Sequence, residues 1–86
     1  MNEHKIIKLC NETLASEFEL ELSQLTPDAN FKDDLGLDSL DAVDMVLALE
    51  EAFHYQLKDN EALSSIRTVG DLHKFLIDTM RSKQKE

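Results

Sequence analysis

One serine stands inside a run of acidic and apolar residues, Asp33-Asp34-Leu35-Gly36-Leu37-Asp38-Ser39-Leu40-Asp41-Ala42-Val43-Asp44, with no basic residue among them. A serine hydroxyl is open to covalent modification when it is exposed and has no structural duty. The spacing around Ser39 favours both conditions. With Asp38 as a helix N-cap, Asp41 falls at the third helical position, the separation of a capping box. Ser39 is then the first helical residue, and its hydroxyl points outward. A phosphate ester there would lie near the free backbone N–H groups of the first turn and the positive end of the helix dipole. The chemistry suggested is attachment of a phosphodiester-linked group. The opposing reading makes Ser39 itself the cap and nothing more, and position alone does not choose between them.

The helix behind Ser39 bears on the choice. Helical spacing carries it from residue 39 to about 54. Ala42, Val46, Leu49 and Phe53 form one apolar stripe, and Leu40, Val43 and Leu47 a second, rotated from the first. A helix on a small domain needs one apolar face, about 100° wide. The surplus stripe is rimmed by Asp41, Asp44, Glu50 and Glu51. Apolar contact framed by charge is the composition of a transient docking site. Burial of both stripes by the rest of the chain is the alternative. Gly36 gives the preceding turn conformational freedom and lets another surface approach closely.

The remaining elements must hold this helix in place. Residues 3 to 18 carry Ile6, Ile7, Cys10, Leu14 and Phe18 at amphipathic spacing, and Asn2 suits the cap. Residues 19 to 38 lose that period and include Thr26-Pro27-Asp28-Ala29-Asn30, which is turn chemistry. This long loop is expected to be pinned to the core by Leu20, Leu25, Phe31 and Leu35. A short helical turn is expected near 59 to 65. Thr68 with Asp71 repeats the capping spacing before a last helix whose apolar face is Val69, Leu72, Leu76 and Met80. Residues 81 to 86 read as a frayed charged tail. The expected architecture is all-α: one domain over residues 1–86, a small four-helix bundle with a long loop between helices 1 and 2 and a short third helix.

Composition narrows the function. Nine basic against eighteen acidic residues give a formal charge of −9, which disfavours nucleic acid and anionic lipid and favours partners with basic patches. A single cysteine, Cys10, forms no internal disulfide and suits a reducing compartment, where it reads as a small core residue. No apolar run spans a membrane, and the first residues lead into no signal-peptide core, so a cytoplasmic protein is expected. His4, His54 and His73 lie far apart with no motif around them, so no catalytic residue is assigned and the chain is not read as an enzyme. Leu35 and Leu37 stand where a calcium loop needs oxygens, so no metal site is assigned.

The stretch Asp34-Leu35-Gly36-Leu37-Asp38-Ser39-Leu40-Asp41, followed by Val43, Asp44 and Leu49-Glu50-Glu51-Ala52-Phe53, resembles the attachment motif of acyl carrier proteins. Phe31, Val69 and the Thr68 cap also fall where that family has core residues and its last helix. The resemblance implies that a phosphopantetheinyl transferase attaches 4′-phosphopantetheine to Ser39, and that the arm's thiol carries acyl groups as thioesters. It implies docking to basic patches of ketosynthases, acyltransferases, reductases and dehydratases through Asp38, Leu40, Asp41, Val43, Asp44, Leu47, Glu50 and Glu51. It implies an acyl cavity lined by Phe31, Ala42, Val46, Leu49, Ala62 and Ile66, with Met45 or Met80 adding malleability if they face it. A monomer serving fatty-acid or polyketide-type enzymes is the expectation. An aminoacyl or peptidyl carrier and a non-catalytic acidic adaptor are the alternatives, the first disfavoured by Asp38 and Asp41. Lys58 replaces a usual proline, His54 and Tyr55 replace small or acidic residues, Phe18-Glu19 stands where a glycine is common, and the segment before Thr68 is one residue longer than usual. These departures point to a divergent or specialised carrier.

Overall fold

Asn2 starts the first helix as expected. Its extended backbone and side-chain oxygen, which accepts the Lys5 N–H at 2.8 Å, launch α1, Glu3–Phe18, in a computed structural model that describes residues 2–57 and 63–84, the last three by backbone alone. Ile6, Cys10 and Leu14 recur at four-residue intervals along α1 and are fully buried. The helix stops because Glu19 turns left-handed, with φ 54°. A non-glycine residue there costs roughly 1–2 kcal/mol, and this is the place where the family pattern has glycine. Burial raises the Cys10 thiol pKa to about 12, which makes it an inert core residue.

The connection after α1 is long, and backbone hydrogen bonds sew it down. A 3₁₀ turn at Leu22–Gln24 leads to buried Leu25, Ala29 and Phe31, while Leu20 and Leu35 pack half-buried against the core. The Phe31 N–H donates to the Arg67 carbonyl at 3.0 Å, and the Val69 N–H donates to the Ala29 carbonyl at 3.0 Å. These bonds flank an isolated antiparallel bridge between Asn30 and Thr68. The Gly70 N–H donates to the Pro27 carbonyl at 2.9 Å. Such a loop meets its backbone hydrogen-bonding needs without a sheet.

α2 spans Ser39–Phe53 and α3 spans Val69–Gln84. α1 packs against both. Thr68 Oγ1 accepts the Asp71 N–H at 3.1 Å and Asp71 Oδ2 accepts the Thr68 N–H at 3.2 Å, closing the expected capping box. The Asp71 carboxyl lies below its ordinary pKa, chiefly because the Arg67 and Thr68 N–H groups hydrogen-bond its charged form. Val69, Leu72 and Leu76 meet Ile6, Cys10, Leu14 and Leu49 as the fully buried centre, with Met80 close behind. His73 is also buried, with Nε2 2.7 Å from Asn11 Oδ1 across the α1–α3 contact.

Two expectations need correction, and one is not confirmed. Among the described residues there are three α-helices and one 3₁₀ turn, so the count of four helices is not confirmed. The short helix expected near 59–65 falls mostly outside those residues; 63 and 64 are helical. The buried stripe of α2 is Met45, Leu49 and Phe53, not Ala42, Val46, Leu49 and Phe53: Ala42 is exposed and Val46 half-buried. α1 meets α2 on a face turned by about 30° from the expected one, since Leu49 and Phe53 belong to both. Arg81 to Gln84 continue α3 instead of fraying, and Arg81 pairs with exposed Glu3 at 3.1 Å.

Gly70 lies in a helix, where alanine is ordinarily better by about 1 kcal/mol. Here a Cβ would sit 2.9 Å from the Pro27 carbonyl oxygen, which is backbone and cannot swing away. Gly70→Ala is therefore expected to destabilise by about 1–3 kcal/mol, seen as a lower urea midpoint. An unchanged or raised midpoint would show that the loop yields.

Burial lowers the His73 pKa below its ordinary 6.5. The unfolded chain thus takes up this proton first as pH falls, so the contribution is complete above the ordinary pKa and declines below it. Between pH 8 and pH 5 the wild type should lose more stability than His73→Gln, measured by denaturant unfolding at both values. Parallel losses would exclude His73 as the source.

Candidate functional site

The geometry at the head of α2 begins with Asp38. Its backbone is extended, and its Oδ1 accepts the N–H groups of Leu40 at 3.0 Å and Asp41 at 3.1 Å. Asp41 Oδ2 accepts the Asp38 N–H at 3.0 Å in return. The Ala42 N–H donates to the Asp38 carbonyl at 3.1 Å. None of these bonds uses the Ser39 hydroxyl, and Ser39 is exposed. Helix formation therefore makes no demand on it.

One part of the expectation fails. The first-turn N–H groups of Leu40, Asp41 and Ala42 are not free for a phosphate, because Asp38 has taken them. What remains favourable there is the helix dipole, with two carboxylates beside it.

The turn before the cap is set by Gly36, whose φ of 68° is left-handed and whose Cβ position faces open space. The Leu37 N–H then donates to the Phe31 carbonyl at 2.8 Å. Asn30 organises the same bend: its Oδ1 accepts the N–H groups of Lys32 and Asp33, each at 2.9 Å, and its own N–H donates to Asp34 Oδ2 at 2.7 Å.

Ser39 borders a groove of about 620 Å³. Its apolar lining is Phe31, Leu37, Ala42 and Met45 on one side of the chain and Leu63 and Ile66 from the segment before α3. Polar residues around it include Asp38, Asp41, Lys32 and Arg67. Of the six cavity residues expected from sequence, Phe31, Ala42 and Ile66 line this groove. Val46 does not, Leu49 is fully buried in the core, and Ala62 lies outside the described residues. Met45 and Leu37 line it unannounced by the stripes. Met45 could have been found by extending the buried face from Leu49 and Phe53 at their four-residue spacing. Met80 is buried in the core.

The second stripe of α2 is unpartnered. Leu40 is 77%, Val43 59% and Leu47 58% exposed, large values for aliphatic side chains. Asp44 and Glu51 are exposed beside them, and both border a second groove of about 500 Å³ between α1 and α2, with Leu47 in its lining and Glu12 and Glu17 opposite. Glu50 differs from the other expected docking acids. It is half-buried, and its Oε2 accepts the Leu57 N–H at 2.7 Å, fixing the chain after α2 turns left-handed at His54 with φ 53°. Its main contact is internal.

His73 is sequestered against Asn11, and among the described residues no group of three or more His, Cys, Asp or Glu side chains is placed to hold a metal. No described helix is long and apolar enough to cross a membrane.

Against this geometry, a family model described as the phosphopantetheine attachment site matches residues 11–76. Among solved structures, the acyl carrier protein from Enterococcus faecalis is similar, with 29% identity over 91% of this chain and 98% of that one and a TM-score of 0.70. Phosphopantetheine fits the residues present: an exposed primary hydroxyl with no structural bond stands at the lip of a groove with an apolar wall.

If the Asp38 cap positions Ser39, Asp38→Ala should cost about 1 kcal/mol, and Asp38→Ser, which keeps a capping oxygen, appreciably less. Thermal midpoints of the two variants would show the difference. Equal losses would mean that the carboxylate acts through charge and not through the cap.

Proposed function

The chain belongs to the phosphopantetheine attachment family, and from that premise we propose that it is an acyl carrier protein whose arm is esterified to Ser39. One observation carries the assignment. Asp38 takes the capping duty that would otherwise fall to the serine, leaving an exposed hydroxyl at a defined helix position. The 4′-phosphopantetheine arm supplies a terminal thiol that bears acyl groups as thioesters. The chain's own residues present that arm, address it to enzymes and shelter its cargo.

Addressing falls to the outward stripe. Leu40, Val43 and Leu47 give a narrow apolar contact, and Asp38, Asp41, Asp44 and Glu51 surround it with negative charge. Basic patches on a phosphopantetheinyl transferase and on ketosynthases, acyltransferases, reductases and dehydratases are the complementary surfaces. Such contacts are fast and short-lived, which suits a carrier that must leave each enzyme after its step. Glu50 contributes to the field while holding Leu57. The groove lined by Phe31, Ala42, Met45 and Ile66 receives the proximal part of the cargo. Val46 follows Met45 along α2 and would extend that wall for a longer chain. The delivery route is fatty-acid or polyketide-type synthesis in the cytoplasm, with residues 1–86 acting as one monomeric domain.

Incubation with coenzyme A, Mg²⁺ and a phosphopantetheinyl transferase should add one phosphopantetheine mass, and Ser39→Ala should abolish the gain while folding normally. No adduct with several transferases, or an adduct that survives Ser39→Ala, would refute the assignment. In association kinetics with the transferase, Asp44→Lys with Glu51→Lys should slow binding at low salt and leave the thermal midpoint near the wild-type value. Both acids are exposed and neither supports the fold as Asp41 and Glu50 do.

A further inference from the structure

An anion on Ser39 has an electrostatic problem. The N–H groups of Leu40 and Asp41 are held by the Asp38 carboxylate, and that of Ala42 by the Asp38 carbonyl. The carboxylates of Asp38 and Asp41 line the same groove as Ser39, and Asp33 joins them. A phosphodiester placed here meets like charge, with the helix dipole as only a partial offset on an exposed surface.

The groove holds an answer on its rim. Lys32 and Arg67 both line it, in a chain with only nine basic residues against eighteen acids. Both are exposed, and neither is in the ion pair found among the described residues, which joins Arg81 to Glu3. Their backbones are held in place. The Lys32 N–H donates to Asn30 Oδ1 at 2.9 Å, and the Arg67 carbonyl accepts the Phe31 N–H at 3.0 Å. Two cations unspent on carboxylates, on fixed backbone along the groove that Ser39 borders, reduce the local negative charge where the fold otherwise offers acids.

We infer that Lys32 and Arg67 are the cationic partners of the phosphodiester on Ser39. Arg67 brings the planar donor fork that matches phosphate oxygens, and Lys32 a flexible point charge. Together they offset Asp38 and Asp41 and hold the root of the arm over the groove mouth. The inference rests on the assignment of the arm to Ser39.

The test compares the apo and holo forms of the wild type and of Lys32→Gln/Arg67→Gln, with loading checked by mass. On loading, the wild-type Arg67 Nε–H resonance should shift, and the shift should shrink as salt rises. The ³¹P resonance of the arm should differ between the two holo proteins. Full loading with an unmoved Arg67 resonance and identical ³¹P positions would overturn the inference and leave the Ser39 assignment standing. An Arg67 shift that appears only with a cargo ending in a carboxylate would also overturn it. If no arm attaches, the Ser39 assignment fails, and the apo chain is titrated with inorganic phosphate. A saturable Arg67 shift absent with chloride at equal ionic strength would retain the cationic edge as a phosphate site, and no shift would remove it.

Discussion

The reciprocal bonds between Asp38 and Asp41 set the start of α2, and most of the site follows from where that helix starts. Asp38 occupies two backbone donors with one carboxylate oxygen, and Asp41 returns the favour to the Asp38 N–H. Two acids that would repel each other on open surface are each compensated by polarised N–H groups at the positive end of the helix. The helix phase is fixed from that point. Ser39 is placed at its first position, Leu40, Val43 and Leu47 face solvent, and Met45, Leu49 and Phe53 face the core. A start displaced by one residue would turn every one of these side chains by about 100°.

The groove beside Ser39 depends on a second constraint, the backbone seam between residues 27–31 and 67–70. Its hydrogen bonds join a long loop to the residues that lead into α3 and to the first turn of that helix. Gly70 allows the closest approach, because any side chain there would run into the Pro27 carbonyl. The seam brings Phe31 and Arg67 to one edge of a hollow whose other edge is α2. The centre of the domain is small, with seven fully buried apolar side chains among the described residues, so a hollow at one end leaves α1 and its two neighbours well packed at the other.

α2 thus serves two surfaces with one sequence. A helix in so small a domain would gain more stability by burying Leu40, Val43 and Leu47. Leaving them exposed forgoes on the order of 1.5–3 kcal/mol for each side chain that could have been fully buried. That sacrifice is intelligible for a surface that must be bound and released. Glu50 shows the opposite compromise, an acid on the docking helix diverted inward to secure Leu57. The left-handed residues Glu19 and His54 add backbone strain at the ends of the two helices that flank the second groove.

Local chemistry was legible in the sequence by itself. The caps at Asn2, Asp38 and Thr68, the span of α1, the start of α2 and the apolar face of α3 all rest on contacts within three or four residues, so spacing alone determines them. The exposed hydroxyl of Ser39 and the surplus apolar stripe followed from the same short-range logic. The tertiary structure alone decided which rotation of α2 is buried, because the face is chosen by how α2 packs on α1 and the shared core. It alone put Met45 and not Val46 on the groove, turned Glu50 toward Leu57, and brought Lys32 and Arg67 to one rim from opposite sides of α2 in the chain. Each of these is a contact made after distant segments meet, and no periodicity in the sequence encodes it. The occupied first-turn amides lie between the two cases. The capping box was foreseen, and with it should have come the consequence that an amide already bonded to Asp38 is not available to phosphate.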